Sequence, residues 1–274
     1  HEQITKRQQE QSYVQDLIIK KESNKTNLTF QILKICLSEK GYHIENNVFE
    51  ENFSLLNKEN RYNIMAELLS DKNERSIVFV KFRGKSKADV SEVIDYGKTS
   101  IIRQYYNILN RIKVENICIS NTKERPRVDE YLFDFDAVEE AIINAVIHND
   151  WSVGEPQISL FSDRMEILSH GGLVRGLSEE DFYLGRSKLR NAALMRIFMS
   201  LGISEHTGHG VPTIIEKYGR EVFEISEIFL LCTIPYNKKV IADNYEYFKE
   251  VIDSNRSKDE NNKITSVENK VVNA

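Results

Sequence analysis

In the first 50 residues apolar positions recur at helical spacing among charges, with Val14, Leu17 and Ile18 in one run and Phe30, Leu33 and Leu37 in another. That spacing predicts surface helices. The stretch RYNIMAELLSD predicts a short helix, SIVFVKF a buried strand, and DYGKTSIIRQYYNILNRIK a long amphipathic helix leading into the strand VENICIS. Helix and strand alternate here, which is the pattern of an α/β fold.

From residue 135, FDAVEEAIINAVIHNDW predicts a helix with Asp136 as N-cap and Glu139 closing a capping box. The strands PQISLF and MEILS follow, joined by a two-residue turn at Ser162-Asp163, and then the glycine loop HGGLVRG. SEEDFY and NAALMRIFMSLG predict helices, EHTGHG is a second glycine loop, and VPTIIEKYG predicts another helix. VFEIS and IFLLCTIPY predict two closing strands. DSNRSKDENNK contains no apolar residue and predicts a linker, and KITSVENKVV after it begins an amphipathic pattern.

Length and composition set few limits. The 274 residues, 41% hydrophobic with 12 Gly and 4 Pro, can bury a sizeable core and exclude low-complexity and collagen-like chains. Lys+Arg 37 against Asp+Glu 42 gives a net charge of -5, so any DNA contact by this chain needs a local basic patch. Arg111, Lys113, Lys123, Arg125 and Arg127 are spread as on a solvated face. Cys36, Cys118 and Cys232 each sit in an apolar run, the pattern of buried free thiols rather than disulfides or a zinc site. The opening His1-Glu2-Gln3 does not resemble a signal peptide and no apolar run approaches a membrane span, so a cytoplasmic protein is expected.

The chemistry lies in the helix that begins near residue 135. At about 100° per residue, Glu140, Asn144 and His148 fall within roughly 80° of one another, while nearly every other position is apolar. A helix buried almost all round with one polar stripe must aim that stripe at a pocket, an ion or a dedicated hydrogen-bond network. Two glycine loops follow, Gly171-Gly172 after a strand and Gly208-His209-Gly210 at a helix start. Glycine lets backbone approach a ligand, and a helix N-terminus favours an anion such as phosphate. A carboxylate at Glu140 suits water activation, and the Asn144 oxygen suits a hydrated Mg²⁺ bridging phosphates. Arg186, Lys188 and Arg190 in GRSKLRN fit either a lid over phosphates or exposed charges. His148, His170, His206, His209 and Glu205 offer an alternative transition-metal set, although no pair has the helical spacing of a dedicated motif.

The stretches EEAIINAVIHNDW, ISLFSDRMEILSHGGL, GRSKLRNAALMRIF and LGISEHTGHGVPTII together resemble the RecG-like C-terminal domain, a divergent branch of the GHKL ATP-binding fold shared by gyrase B, histidine kinases and MutL. The resemblance is carried by residues 134–220. It implies a two-layer α/β sandwich binding ATP and Mg, with Glu140 as the catalytic base and Asn144 as the Mg ligand. Ser169, Gly171 and Gly172 would line the adenine pocket, and Gly208, His209 and Gly210 would cradle phosphates. Two positions depart from the family pattern: Ser169 stands where GHKL enzymes place an Asp, and Asn149 stands in the family's H-R-D-Y motif where a cation is usual. Upstream, NFSLLNKENRYNIMAELLSD resembles the connector to an AlbA-type, Schlafen-like DNA-binding domain of bacterial transcriptional regulators. The expected organisation is an N-terminal helical and α/β segment over 1–125, the GHKL-like domain over 126–240, and a C-terminal helix and linker over 241–274 leading toward a winged helix. DNA would be met through flanking domains, a homodimer is compatible with this class, and no membrane partner is expected. The absence of G-x-x-x-x-G-K-[ST] excludes a helicase motor. The competing expectation is an inert dimerisation scaffold that keeps the fold without nucleotide.

Overall fold

The computed structural model describes residues 16–121, 128–186, 188–204 and 209–244. Helices α1 (Leu17–Lys20), α2 (Gln31–Glu39), α3 (Phe49–Asn52) and α4 (Ile64–Leu69) open the chain. Strands β1 (Val78–Phe82) and β2 (Val90–Asp95) follow, then helix α5 (Ile101–Glu115) and a ribbon of β3 (Cys118–Asn121) and β4 (Val128–Tyr131). Helix α6 (Phe135–His148) leads to β5 (Gln157–Leu160) and β6 (Arg164–His170). Helices α7 (Glu179–Tyr183), α8 (Ala192–Ser200) and α9 (Gly210–Tyr218), strands β7 (Phe223–Ile225) and β8 (Phe229–Pro235), and helix α10 (Lys238–Asp243) complete the described chain.

Six strands form one sheet in the order β2-β1-β5-β6-β8-β7. All neighbours are antiparallel except β1 and β5, which run parallel with Phe79 opposite Ile158. A parallel pair needs a long crossover. Here the chain between the two strands contains α5, the small ribbon and α6. The sheet therefore joins strands from before residue 126 to strands from after it.

One sheet face carries Phe79, Ile158, Leu160, Met165, Ile167, Cys232 and Ile234 into a single core with the buried sides of α2 and α4 to α6 and of α8 and α9. The alternation of strand side chains sends Val80, Phe82 and Phe161 to the opposite face, where Phe82 and Phe161 stack at 4.7 Å. This is a mixed α/β sandwich of the expected two-layer class.

Three local expectations change. The N-cap of α6 is Asp134, not Asp136: its carboxylate accepts the Ala137 N–H at 3.0 Å, so the helix begins at Phe135. Glu139 accepts from the Tyr105 hydroxyl at 3.0 Å and closes no capping box. Among the cysteines only Cys232 is buried; Cys36 is half-buried and Cys118 is exposed because it starts the two-stranded ribbon. All three thiols are free. Strand β2, whose positions are mostly half-buried or exposed, carries too weak an alternation to be read beforehand. Val14, Lys123, Arg125, Arg127, Glu205, His206 and Gly208 lie outside the described residues, as does the predicted linker. Among the described residues no helix is long and apolar enough to cross a membrane.

Candidate functional site

Helix α6 meets the expectation drawn from its pattern. Ala137, Val138, Ala141, Ile142, Ile143, Ala145, Val146 and Ile147 are buried, while Glu140, Asn144 and His148 are half-buried and line one cavity. That cavity lies between α6, the strands β6 and β8, the chain from Gly171 to Arg190, and the start of α9. Its volume is about 120 Å³. The inner wall is apolar, with Ile167, Val174, Met195, Ile214, Leu230 and Cys232. Burial pushes the Cys232 thiol up to about 12, so it stays protonated and packs as apolar surface.

The far end of α6 is fixed by a buried polar network. Asn191 Nδ2 donates to the carbonyls of Ile147 (2.8 Å) and Asn149 (2.9 Å), satisfying the end of the helix. Asn149, fully buried, accepts the His170 N–H at 2.9 Å and donates to the Gly154 carbonyl at 2.8 Å, which ties α6 to the end of β6. These contacts hold the polar stripe in register with the first glycine loop. Trp151 is fully buried and donates to the Val146 carbonyl at 3.1 Å, which anchors the chain after α6 in the core.

The two glycine loops differ. In the first, Gly171 N–H donates to the Ile228 carbonyl at 2.7 Å and Gly172 N–H to the Glu227 carbonyl at 3.1 Å. A Cβ on Gly172 would lie 2.0 Å from the Ser226 carbonyl oxygen, so only glycine fits against this turn. In the second, a Cβ on Gly210 would lie 2.5 Å from Glu140 Oε2 and 2.9 Å from Asn144 Nδ2. The acid and the amide thus come directly against the N-terminus of α9.

The remaining candidates divide. Ser169 is buried in the cavity wall on β6, with its hydroxyl 3.5 Å from the Leu230 carbonyl. Arg190 is 7% exposed and packs over Gly171; Nη2 donates to the Gly172 carbonyl at 2.7 Å, and Nη1 stands 3.9 Å from Asp150. Burial pushes its pKa down while Asp150 counters, and a guanidinium stays charged under such a shift. Its buried Nε has no hydrogen-bond partner among the described residues. Arg186 and Lys188 line the mouth, where Arg186 pairs with Asp181 at 2.6 Å and Lys188 donates to the Arg175 carbonyl at 2.7 Å. His209 is exposed and is not among the residues lining the cavity; its carbonyl accepts from Thr213. No group of three or more His, Cys, Asp or Glu among the described residues is arranged to hold a metal ion. Mg²⁺ places a different demand, since it commonly takes one or two protein oxygens plus phosphates and water. The donor set at Gly210, with Asn144 and a carboxylate in contact with a helix N-terminus, fits that demand.

Periodicity in the sequence does not single out Asn149, Asn191 or Asp150 as residues that shape the site. Their roles rest on contacts across 5 to 44 positions of chain, and a single buried Asn gives no periodic signal.

The fold is a mixed α/β sandwich with a six-stranded sheet, and the family match that follows is consistent with the GHKL type. Residues 154–226 match the family described as "Putative ATP-dependent DNA helicase recG C-terminal", which supports a RecG-like C-terminal domain over that stretch. The match takes in both glycine loops and begins after α6. No curated protein matches the chain. Among solved structures, the crystal structure of the DIP2311 protein from Corynebacterium diphtheriae is similar with a TM-score of 0.62 and 16% identity, over 80% of this chain and 47% of that one. At that identity the likeness is one of fold alone, and this chain spans about half the length of that protein.

Proposed function

We propose that the cavity binds ATP with Mg²⁺, the base held against the apolar inner wall and the phosphates at the mouth beside Gly210. One observation carries this reading: the only polar stripe of α6 lines the same cavity as the first glycine loop and touches the start of α9. Asn144 would hold the ion, and Glu140 would orient a water and accept its proton. Bound Mg²⁺ would supply charge neutralisation at the phosphate oxygens. The N-terminal N–H groups of α9 favour the anion. Arg186 and Lys188 stand at the mouth, and the buried Arg190 forms part of the wall. Ser169 would offer a hydroxyl to the base where the family's Asp offers a carboxylate. Any hydrolysis would be weak and Mg-dependent.

We further propose that this module belongs to a bacterial transcriptional regulator of the AlbA or Schlafen type, in which nucleotide changes how flanking DNA-binding domains are presented. Support comes from the likeness of NFSLLNKENRYNIMAELLSD to the connector of such regulators, and the net charge of -5 leaves DNA contact to flanking domains.

The second reading, an inert scaffold, is favoured by the small cavity volume of about 120 Å³, against roughly 300–1,000 Å³ for sites that engulf drug-sized ligands. A thermal-shift titration separates the two. Ligand at 100 times Kd stabilises by about 2.7 kcal/mol, and an unchanged melting temperature at millimolar MgATP leaves the scaffold.

A further inference from the structure

Helix α8 is capped from the other end of the chain. Asn191, which occupies its cap position, gives its side chain to the end of α6 and makes no cap bond to α8. The cap comes instead from Asp16, 177 residues away: Oδ1 accepts the Ala193 N–H at 3.0 Å. The Asp16 N–H also donates to the Arg190 carbonyl at 2.8 Å. Asp16 makes both contacts from a left-handed backbone (φ 54, ψ 39) and does not cap its own helix α1. Asp and Asn are among the few residues that tolerate this conformation.

Three elements therefore meet at residues 190–193. Asp16 holds the backbone, the Arg190 guanidinium holds the Gly172 carbonyl, and Asn191 holds the end of α6. Arg190 is too buried to swing independently, so a displacement of its backbone must move the first glycine loop.

We propose that Asp16 is a positioning residue for the cavity: by fixing residues 190–193 it sets, through Arg190, the place of the Gly171-Gly172 loop. Its effect on nucleotide rests on the ATP reading above; its effect on the loop does not. Coupling of this kind is reciprocal, so a ligand in the cavity also tightens the Asp16 contacts.

Amide hydrogen exchange on the ligand-free chain tests this, comparing the wild type with Asp16→Gly and Asp16→Asn. Glycine accepts the left-handed backbone and keeps the N–H but removes the carboxylate; asparagine keeps the capping oxygen. The Gly variant should speed exchange about fivefold, the factor that goes with losing the hydrogen bond to the Ala193 N–H, at Ala193 and also at Gly171 and Gly172. The Asn variant should match the wild type. MgADP affinity should fall about fivefold in the Gly variant alone. Faster exchange confined to α1 and α8, or equal effects of Gly and Asn, would overturn the proposal. A wild type that binds no MgADP would remove the ATP reading and leave the exchange result to decide the positioning role. If the Gly variant does not fold, exchange of the wild type in low denaturant decides: Ala193, Gly171 and Gly172 should open as one unit, and separate openings contradict the coupling.

Discussion

Gly172 and Gly210 line one cavity, and in sequence they look alike, each the second glycine of a closely spaced pair. Their surroundings differ. Gly172 is required by backbone, the Ser226 carbonyl that leaves no room for a side chain. Gly210 is required by the ends of two flexible side chains, Glu140 and Asn144. The first glycine is fixed by backbone and the second by the acid and amide beside it, so the same residue type in the same kind of loop answers to two separate constraints.

The comparison breaks if both positions respond alike to alanine. Gly172→Ala should be the more damaging to stability, because neither the loop nor the turn at 226–227 can yield cheaply; we expect a loss of about 3 kcal/mol, read as a melting temperature lower by roughly 10 °C. Gly210→Ala should leave stability within about 1 kcal/mol, since alanine favours the first turn of a helix and the side-chain ends can move aside. The same change should weaken MgATP at least tenfold, because a displaced acid and amide lose their aim. Calorimetric unfolding and nucleotide titration of the two variants decide this.

A third position sharpens the contrast by serving stability alone. Asp71 lies outside the cavity wall and caps α2 from a distance, accepting the N–H groups of Gln31 and Ile32 at 2.8 Å each. Burial raises its carboxyl pKa, but these two bonds, with help from Thr29 and Arg103, outweigh burial and leave it below the ordinary range. A lowered folded pKa means that the contribution is complete above the unfolded value of about 3.9 and fades as pH falls through the folded value. Asp71→Asn should therefore flatten the acid limb of the stability profile and leave MgATP affinity at neutral pH unchanged. This is the smallest of the effects, at about 1 kcal/mol or less for exchanging one capping group for another.

The parts of the molecule that were legible in sequence are those written in local periodicity. The polar stripe of α6, the Ser162-Asp163 hairpin between β5 and β6, and the buried strand at 78–82 all follow from spacing of 3.6 or 2 and from turn chemistry. What escaped depends on partners far away in the chain. The parallel pairing of β1 with β5 brings Val78 opposite Gln157, and no local pattern encodes it. Asp134 takes the place of Asp136 as the cap of α6, two residues off: its carboxylate accepts the Ala137 N–H, and its own N–H is held by the distant Tyr218 hydroxyl at 2.7 Å. GRSKLRN offered three similar cations, and only burial separates Arg190, clamped on the Gly172 carbonyl, from the exposed Arg186.

The central claim is that Asn144 and Glu140 face this cavity to hold an ion and its phosphates. Calorimetric titration of ATP into the wild type and Asn144→Ala, with Mg²⁺ and with EDTA, tests it most directly. The account predicts that Mg²⁺ tightens ATP binding in the wild type and that the variant loses this increment. Absence of binding by the wild type at millimolar MgATP, or an equal Mg²⁺ dependence in both proteins, would contradict it.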